Sequence, residues 1–126
     1  MNCLKVFILL LCVCAVFLVP TQLAHAFLLK AGLRDAKSDS GKVTVYVYSH
    51  ETGSKKSTNI NVGKIVTKTG DSIIENIHFT FNEKQLPPNG AFSACVDSKT
   101  FGKTECEQAD RHHDARSAVI WIQVPS

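Results

Sequence analysis

The stretch Lys42–Ser49 reads KVTVYVYS, and its strict alternation is that of a β-strand. Successive side chains of a strand point to opposite faces, so Val43, Val45 and Val47 share one face and Thr44, Tyr46 and Tyr48 the other. A period of 3.6 residues would scatter the same valines around a helix. Residues 73–81 repeat the pattern, with Ile73, Ile77, Phe79 and Phe81 on one face and Asn76, His78 and Thr80 opposite. In residues 117–124, Ala118, Ile120, Ile122 and Val124 point inward, and Val119, Trp121 and Gln123 take the second face. Phe27, Leu29, Ala31 and Leu33 also alternate; residues 27–33 read as a first strand, with a short amphipathic helix or a frayed terminus as alternatives.

Between these runs lie clusters rich in turn-forming residues, at 34–41, 51–57, 69–72, 82–90, 97–102 and 109–116. Seven or eight short strands in about 100 residues predict an all-β, Ig-like antiparallel sandwich. The long-range cysteine pair with an intervening tryptophan that marks antibody-type domains is absent. Residues 82–90, NEKQLPPNG, form a loop, because Pro87-Pro88 cannot join a central strand and Asn89-Gly90 is a turn pair. Leu86 is expected to plug the end of the sandwich. In Val62-Gly63-Lys64-Ile65 the glycine stands where a type II′ turn needs positive φ, predicting a hairpin of residues 58–62 and 65–68. One longer strand with a bulge at Gly63 is the alternative.

Residues 1–26 read as a cleaved signal peptide: Lys5, an unbroken apolar run over residues 6–19, Pro20, and the small-x-small pattern Ala24-His25-Ala26. A membrane anchor needs about 20 apolar residues, more than this run supplies. Lipidation of Cys12 or Cys14 wants a small preceding residue, and Leu11 and Val13 stand there. Cleavage after Ala26 leaves a single domain, residues 27–126, that is secreted or associated with the cell envelope and meets a membrane only during export. Cys3, Cys12 and Cys14 leave with the signal, so Cys95 and Cys106 remain as a pair in an oxidising compartment. A turn at residues 99–102 sets Ser98 opposite Lys103 and Cys95 opposite Cys106, within reach of a disulfide. Phe92, Ala94 and Val96 alternate with Cys95, which puts the bridge on the face away from the main apolar side. Two independent buried thiols are the alternative, and metal ligation would want a C-x-x-C spacing or a second pair.

The order KVTVYVYSHETG, a hairpin, IHFTFN, LPPNGAFSACVD, a second cysteine at TEC and a closing VIWIQV resembles the small secreted Ig-like β-sandwich proteins of ammonia-oxidising archaea. The resemblance implies fold and location, and carries over no catalytic residue.

Without Lys5, 13 Lys and Arg face 11 Asp and Glu, a net charge of +2. The basic residues are scattered, which argues against a nucleic-acid partner. There is no G-x-S-x-G elbow, H-E-x-x-H, phosphate loop or acidic calcium loop, so the expected function is non-enzymatic. Glu105 and Glu107 share a strand face, where a charged edge that discourages strand addition accounts for them better than paired hydrolytic carboxylates. Two candidate sites follow. Tyr46, Tyr48 and Trp121, if gathered on one sheet face, would make an aromatic platform for a carbohydrate or an extracellular or cell-envelope protein, with ordinary packing as the alternative. Asp110, His112 and His113 on one loop would supply ligands for zinc or copper, completed by His50 or His78, in a secreted metal-binding protein. A solvated loop paired locally with Arg111 and Arg116, or one whose charge changes as histidine titrates at about pH 6.5, explains the same residues without a metal.

Overall fold

The computed structural model describes residues 26–126; the expected signal peptide, apart from Ala26, lies outside them. Seven strands build two sheets: β1 (Phe27–Arg34), β2 (Lys42–Ser49), β3 (Lys55–Asn61), β4 (Ile74–Phe81), β5 (Ala91–Ser98), β6 (Lys103–Asp110) and β7 (Ser117–Gln123). One sheet has the order β4-β1-β7 and the other β3-β2-β5-β6. The alternating apolar positions of both meet in a single core. Phe27, Leu29, Ala31, Leu33, Phe79, Phe81 and Ile122 come from the first sheet, and Val43, Val45, Val47, Phe92, Ala94 and Val96 from the second. Phe27 and Phe92 touch across the layers, ring centroids 6.4 Å apart. Leu86 is buried at the end of the sandwich, as the loop composition predicts. Among the described residues no helix is long and apolar enough to cross a membrane.

Every pairing is antiparallel except one. β1 and β7 run parallel, Leu28 opposite Ser117 through Arg34 opposite Gln123, so the expected antiparallel sandwich changes there. Parallel neighbours need a long crossover, and here the rest of the domain, β2 to β6, is that crossover. The first two strands of an immunoglobulin constant domain are neighbours in one sheet, whereas β1 and β2 lie in different sheets. The two-layer architecture is common to both.

The expected hairpin at Gly63 is a helix instead, α1 (Val62–Thr69). Asn61 caps it, its side chain accepting from the Lys64 amide at 3.1 Å, and Gly70 closes it in the left-handed conformation with φ 74°. Val62, Ile65 and Val66 are spaced i, i+3, i+4, so one helical stripe reaches the core. Gly63 is not among the positive-φ residues. It is small for another reason: a Cβ there would stand 2.4 Å from the Ser38 carbonyl oxygen.

A bulge corrects the reading of residues 73–81. The β1–β4 register runs from Ala31↔Ile77 to Leu33↔Ile74, so Glu75 and Asn76 together oppose Gly32. The extra residue resets the alternation. Ile74 is therefore buried at 8% exposure and Ile73 lies outside at 50%. Toward the other end of β4, Lys56 of β3 reaches across the sandwich, its Nζ donating to the Thr80 carbonyl and lying 5.3 Å from the Phe81 ring centroid.

Two urea-unfolding comparisons test this layout. Ile74→Ala is expected to cost about 2–4 kcal/mol and Ile73→Ala under about 0.5 kcal/mol; equal costs would contradict the bulge. An exposed helical Gly→Ala change gains about 1 kcal/mol, but Gly63→Ala is expected to lose about 1–3 kcal/mol through overpacking against Ser38, and a more stable variant would contradict the close approach.

Candidate functional site

The outer face of the four-stranded sheet gathers the most recognition chemistry. Alternation turns Thr44, Tyr46 and Tyr48 outward from β2, and the register sets them in rows: Tyr48 between Lys55 and Ser93, Tyr46 between Ser57 and Cys95, Thr44 between Asn59 and Asp97. Strand spacings make this face about 20 Å long and about 14 Å wide. Tyr46 and Tyr48 are half-buried and stack with centroids 6.2 Å apart and an interplanar angle of 25°. His50 continues the ladder, 5.0 Å from Tyr48, and shares a 2.7 Å hydrogen bond between its Nε2 and Ser93 Oγ. Lys55 Nζ stands 4.3 Å from the Tyr46 centroid, a cation–π arrangement that fixes the ring from one side.

Polar groups flank the rings. Thr44 Oγ1 donates to Asn59 Oδ1 at 2.8 Å and Thr104 Oγ1 to Asp97 Oδ1 at 2.9 Å. Beyond Thr44 a groove of about 470 Å³ opens between Lys42, Asn59, Asn61, Asp97 and Lys99. The Cys95–Cys106 disulfide lies on this same face beside Tyr46, with a Cα–Cα distance of 4.1 Å and the facing register that the spacing predicts. Cys95 is wholly buried and Cys106 exposed, so the bridge forms part of the floor next to the tyrosines.

Trp121 does not join that platform. It belongs to β7 of the other sheet, on the opposite outer surface, with the core between it and the tyrosines. The single face shared by Tyr46, Tyr48 and Trp121 is thereby corrected to two faces. Trp121 covers Gly32, its partner in the parallel register; a Cβ on Gly32 would come within 2.5 Å of Trp121 Cε3. Arg34 lies over the indole, Cζ 5.7 Å from the centroid. The ring fills the space of a missing side chain and is half-buried there.

Asp110 ends β6 rather than lying on one loop with His112 and His113, and the loop that carries the two histidines is organised by Arg111, a residue that the sequence alone places at the surface. Arg111 is only 4% exposed. Its Nη1 donates to the Leu86 carbonyl at 2.6 Å, and its guanidinium lies 4.9 Å from the Phe27 ring centroid. Backbone bonds from Arg111 N to Gly90 O and from Asn89 N to Arg111 O tie the loop to residues 82–90. His113 Nε2 lies 3.9 Å from Asp114 Oδ1 rather than joining Asp110, and both side chains are exposed. Among the described residues no three His, Cys, Asp or Glu side chains come together as metal ligands. His50 and His78, the expected completing ligands, belong to different layers: His78 is on β4, His50 beside Ser93 of β5. Glu105 and Glu107 line the exposed edge strand β6, opposite Val96 and Ala94.

Two members of the tyrosine face escaped the sequence reading. His50 continues the period-2 series 44, 46, 48, a signal already present in the sequence. Lys55 needs the β2–β3 register.

Replacing both cysteines by Ala is expected to cost about 3 kcal/mol, the loop-closure entropy of so short a ring, and to broaden the Tyr46 NMR signals; unchanged stability and unchanged tyrosine signals would refute the bridge's part in this floor. The chain matches no protein-family model, no curated protein and no solved structure.

Proposed function

We propose that this chain is a secreted, non-enzymatic β-sandwich module that binds an extracellular or cell-envelope partner through the Tyr46–Tyr48 face, and that a carbohydrate ring suits this face best. The observation that carries the reading is the stacked, half-exposed tyrosine pair in a frame of polar side chains. Aromatic faces take the apolar face of a sugar, and the Tyr hydroxyls, Lys55, Asn59 and Gln108 offer donors and acceptors to its rim. A flat face with a shallow groove favours a chain-like ligand lying along β2 over a small molecule that must be enclosed.

Export supports the same reading. The apolar run at residues 6–19, the Ala24-His25-Ala26 pattern and the single remaining cysteine pair fit a chain folded in an oxidising compartment. Kinship with the small secreted Ig-like proteins of ammonia-oxidising archaea is part of the proposal and rests on the KVTVYVYSHETG, LPPNGAFSACVD and VIWIQV segments.

NMR titration of residues 27–126 with neutral and uronic-acid oligosaccharides tests it. Binding is expected to shift Tyr46, Tyr48 and Lys55 resonances and leave Trp121 unmoved, and Tyr48→Ala is expected to weaken it by about tenfold or more, the scale of an aromatic anchor. No shift with any saccharide, shifts centred on Trp121, or a response only of His112 and His113 to Zn²⁺ or Cu²⁺ would overturn it.

A further inference from the structure

β7 is the edge whose own residues carry none of the usual protection, although Lys103 of β6 reaches past its end, its Nζ donating to the Ser126 carbonyl beyond the strand. Sheet edges offer unpaired N–H and C=O groups, and proteins guard them with charge, bulges or a covering side chain. β3 carries Lys55 and Lys56, and β6 carries Lys103, Glu105, Glu107 and Asp110. β4 has the bulge at Glu75 and Asn76 and the Lys56 ammonium on the Thr80 carbonyl. β7 reads SAVIWIQ, with no charge, no proline and no bulge in its pairing.

The backbone parity of β7 follows from the bonds at its two ends. Leu28 N donates to Arg116 O and Val124 N donates to Arg34 O, so even-numbered residues of this segment bond β1. Alternate residues of a strand direct their amides to opposite sides. The N–H and C=O groups of Ser117, Val119, Trp121 and Gln123 therefore face the free edge, and among the described residues no backbone bond links them to another strand. On the outer surface beside this row Val119 is 59% exposed.

We propose that two copies of the chain pair antiparallel along β7, joining their three-stranded sheets into one of six strands. The occupant follows from self-complementarity. A two-fold axis through Ile120 makes hydrogen-bonded pairs of all four outward-facing residues, about eight bonds in total. It sets Val119 of one copy against Trp121 of the other and Ser117 against Gln123, so the exposed valine meets an indole and the polar ends meet each other. No charge is buried in that register, whereas β3 or β6 in the same role would have to desolvate several. Isologous two-fold pairing is also the common closed solution for identical chains. The tyrosine face lies on the other sheet and stays open in the pair.

Sedimentation equilibrium of residues 27–126, which hold every described element, tests this from about 1 µM to about 1 mM, the range of a modest interface. The wild type is expected to show a monomer–dimer equilibrium. Val119→Lys, a change at an exposed position, is expected to keep the circular dichroism spectrum and weaken dimerisation by about tenfold or more, because an edge lysine opposes strand addition. Glu107→Lys on the β6 edge is expected to leave it unchanged. A wild type that stays monomeric throughout, or a dimer that Val119→Lys leaves intact, would overturn the proposal.

Discussion

β1 is paired on both of its sides, and this double pairing joins the outer strands of its sheet to one buried centre. The strand is antiparallel to β4 on one side and parallel to β7 on the other, and its inward side chains Phe27, Leu29, Ala31 and Leu33 are fully buried. Burying Phe27, Leu29 and Leu33 contributes roughly 1.5–3 kcal/mol each, a sum comparable with the whole net stability of such a domain, about 5–15 kcal/mol. Phe27 also touches Phe92 of the facing sheet and lies under the Arg111 guanidinium. One residue thus links β1, β5 and the loop that leads into β7. Because Arg111 anchors that loop through Leu86 and Phe27, the loop's shape comes from packing and backbone hydrogen bonds, leaving His112, His113 and Asp114 exposed.

The assignment of strands to sheets then decides which chemistry can act together. β2 and β5 are the inner strands of the four-stranded sheet, so their outward residues form a floor broad enough for Tyr46, Tyr48 and the disulfide. β7, in the other layer, takes Trp121 to the opposite surface, where Gly32 gives it a seat. The same partition sorts the edges. Three carry charge, a bulge or a capping lysine, and β7 is left with a neutral row.

Much of this was legible in the sequence because alternation is a local signal. KVTVYVYS gives its faces without reference to any other strand, and the positions of Cys95 and Cys106 about one turn predict their facing register. The misread parts depend on what another segment supplies. Val62, Ile65 and Val66 suit either a short strand pair or a helical stripe, and the Asn61 cap with the nearby Ser38 carbonyl settles the choice. Ile73 and Ile74 are the same residue type, so only the bulge at Glu75 and Asn76 shows which is inside. The separation of Trp121 from the tyrosines reflects strand order, which no local pattern encodes. Arg111 looks like a surface charge until residues 82–90 fold over it and present the Leu86 carbonyl.

Native-state hydrogen exchange on β1 reads whether the strand is held from both sides. The bond from Leu28 N to Arg116 O fixes the Lys30 amide toward β7 and the Leu29 amide toward β4. If β1 is held on both sides, both amides exchange only through global unfolding, at closely similar limiting free energies. A Lys30 amide exchanging about 100-fold faster than Leu29 would mean that β7 opens on its own, and β1 would then not be the shared centre of the sandwich.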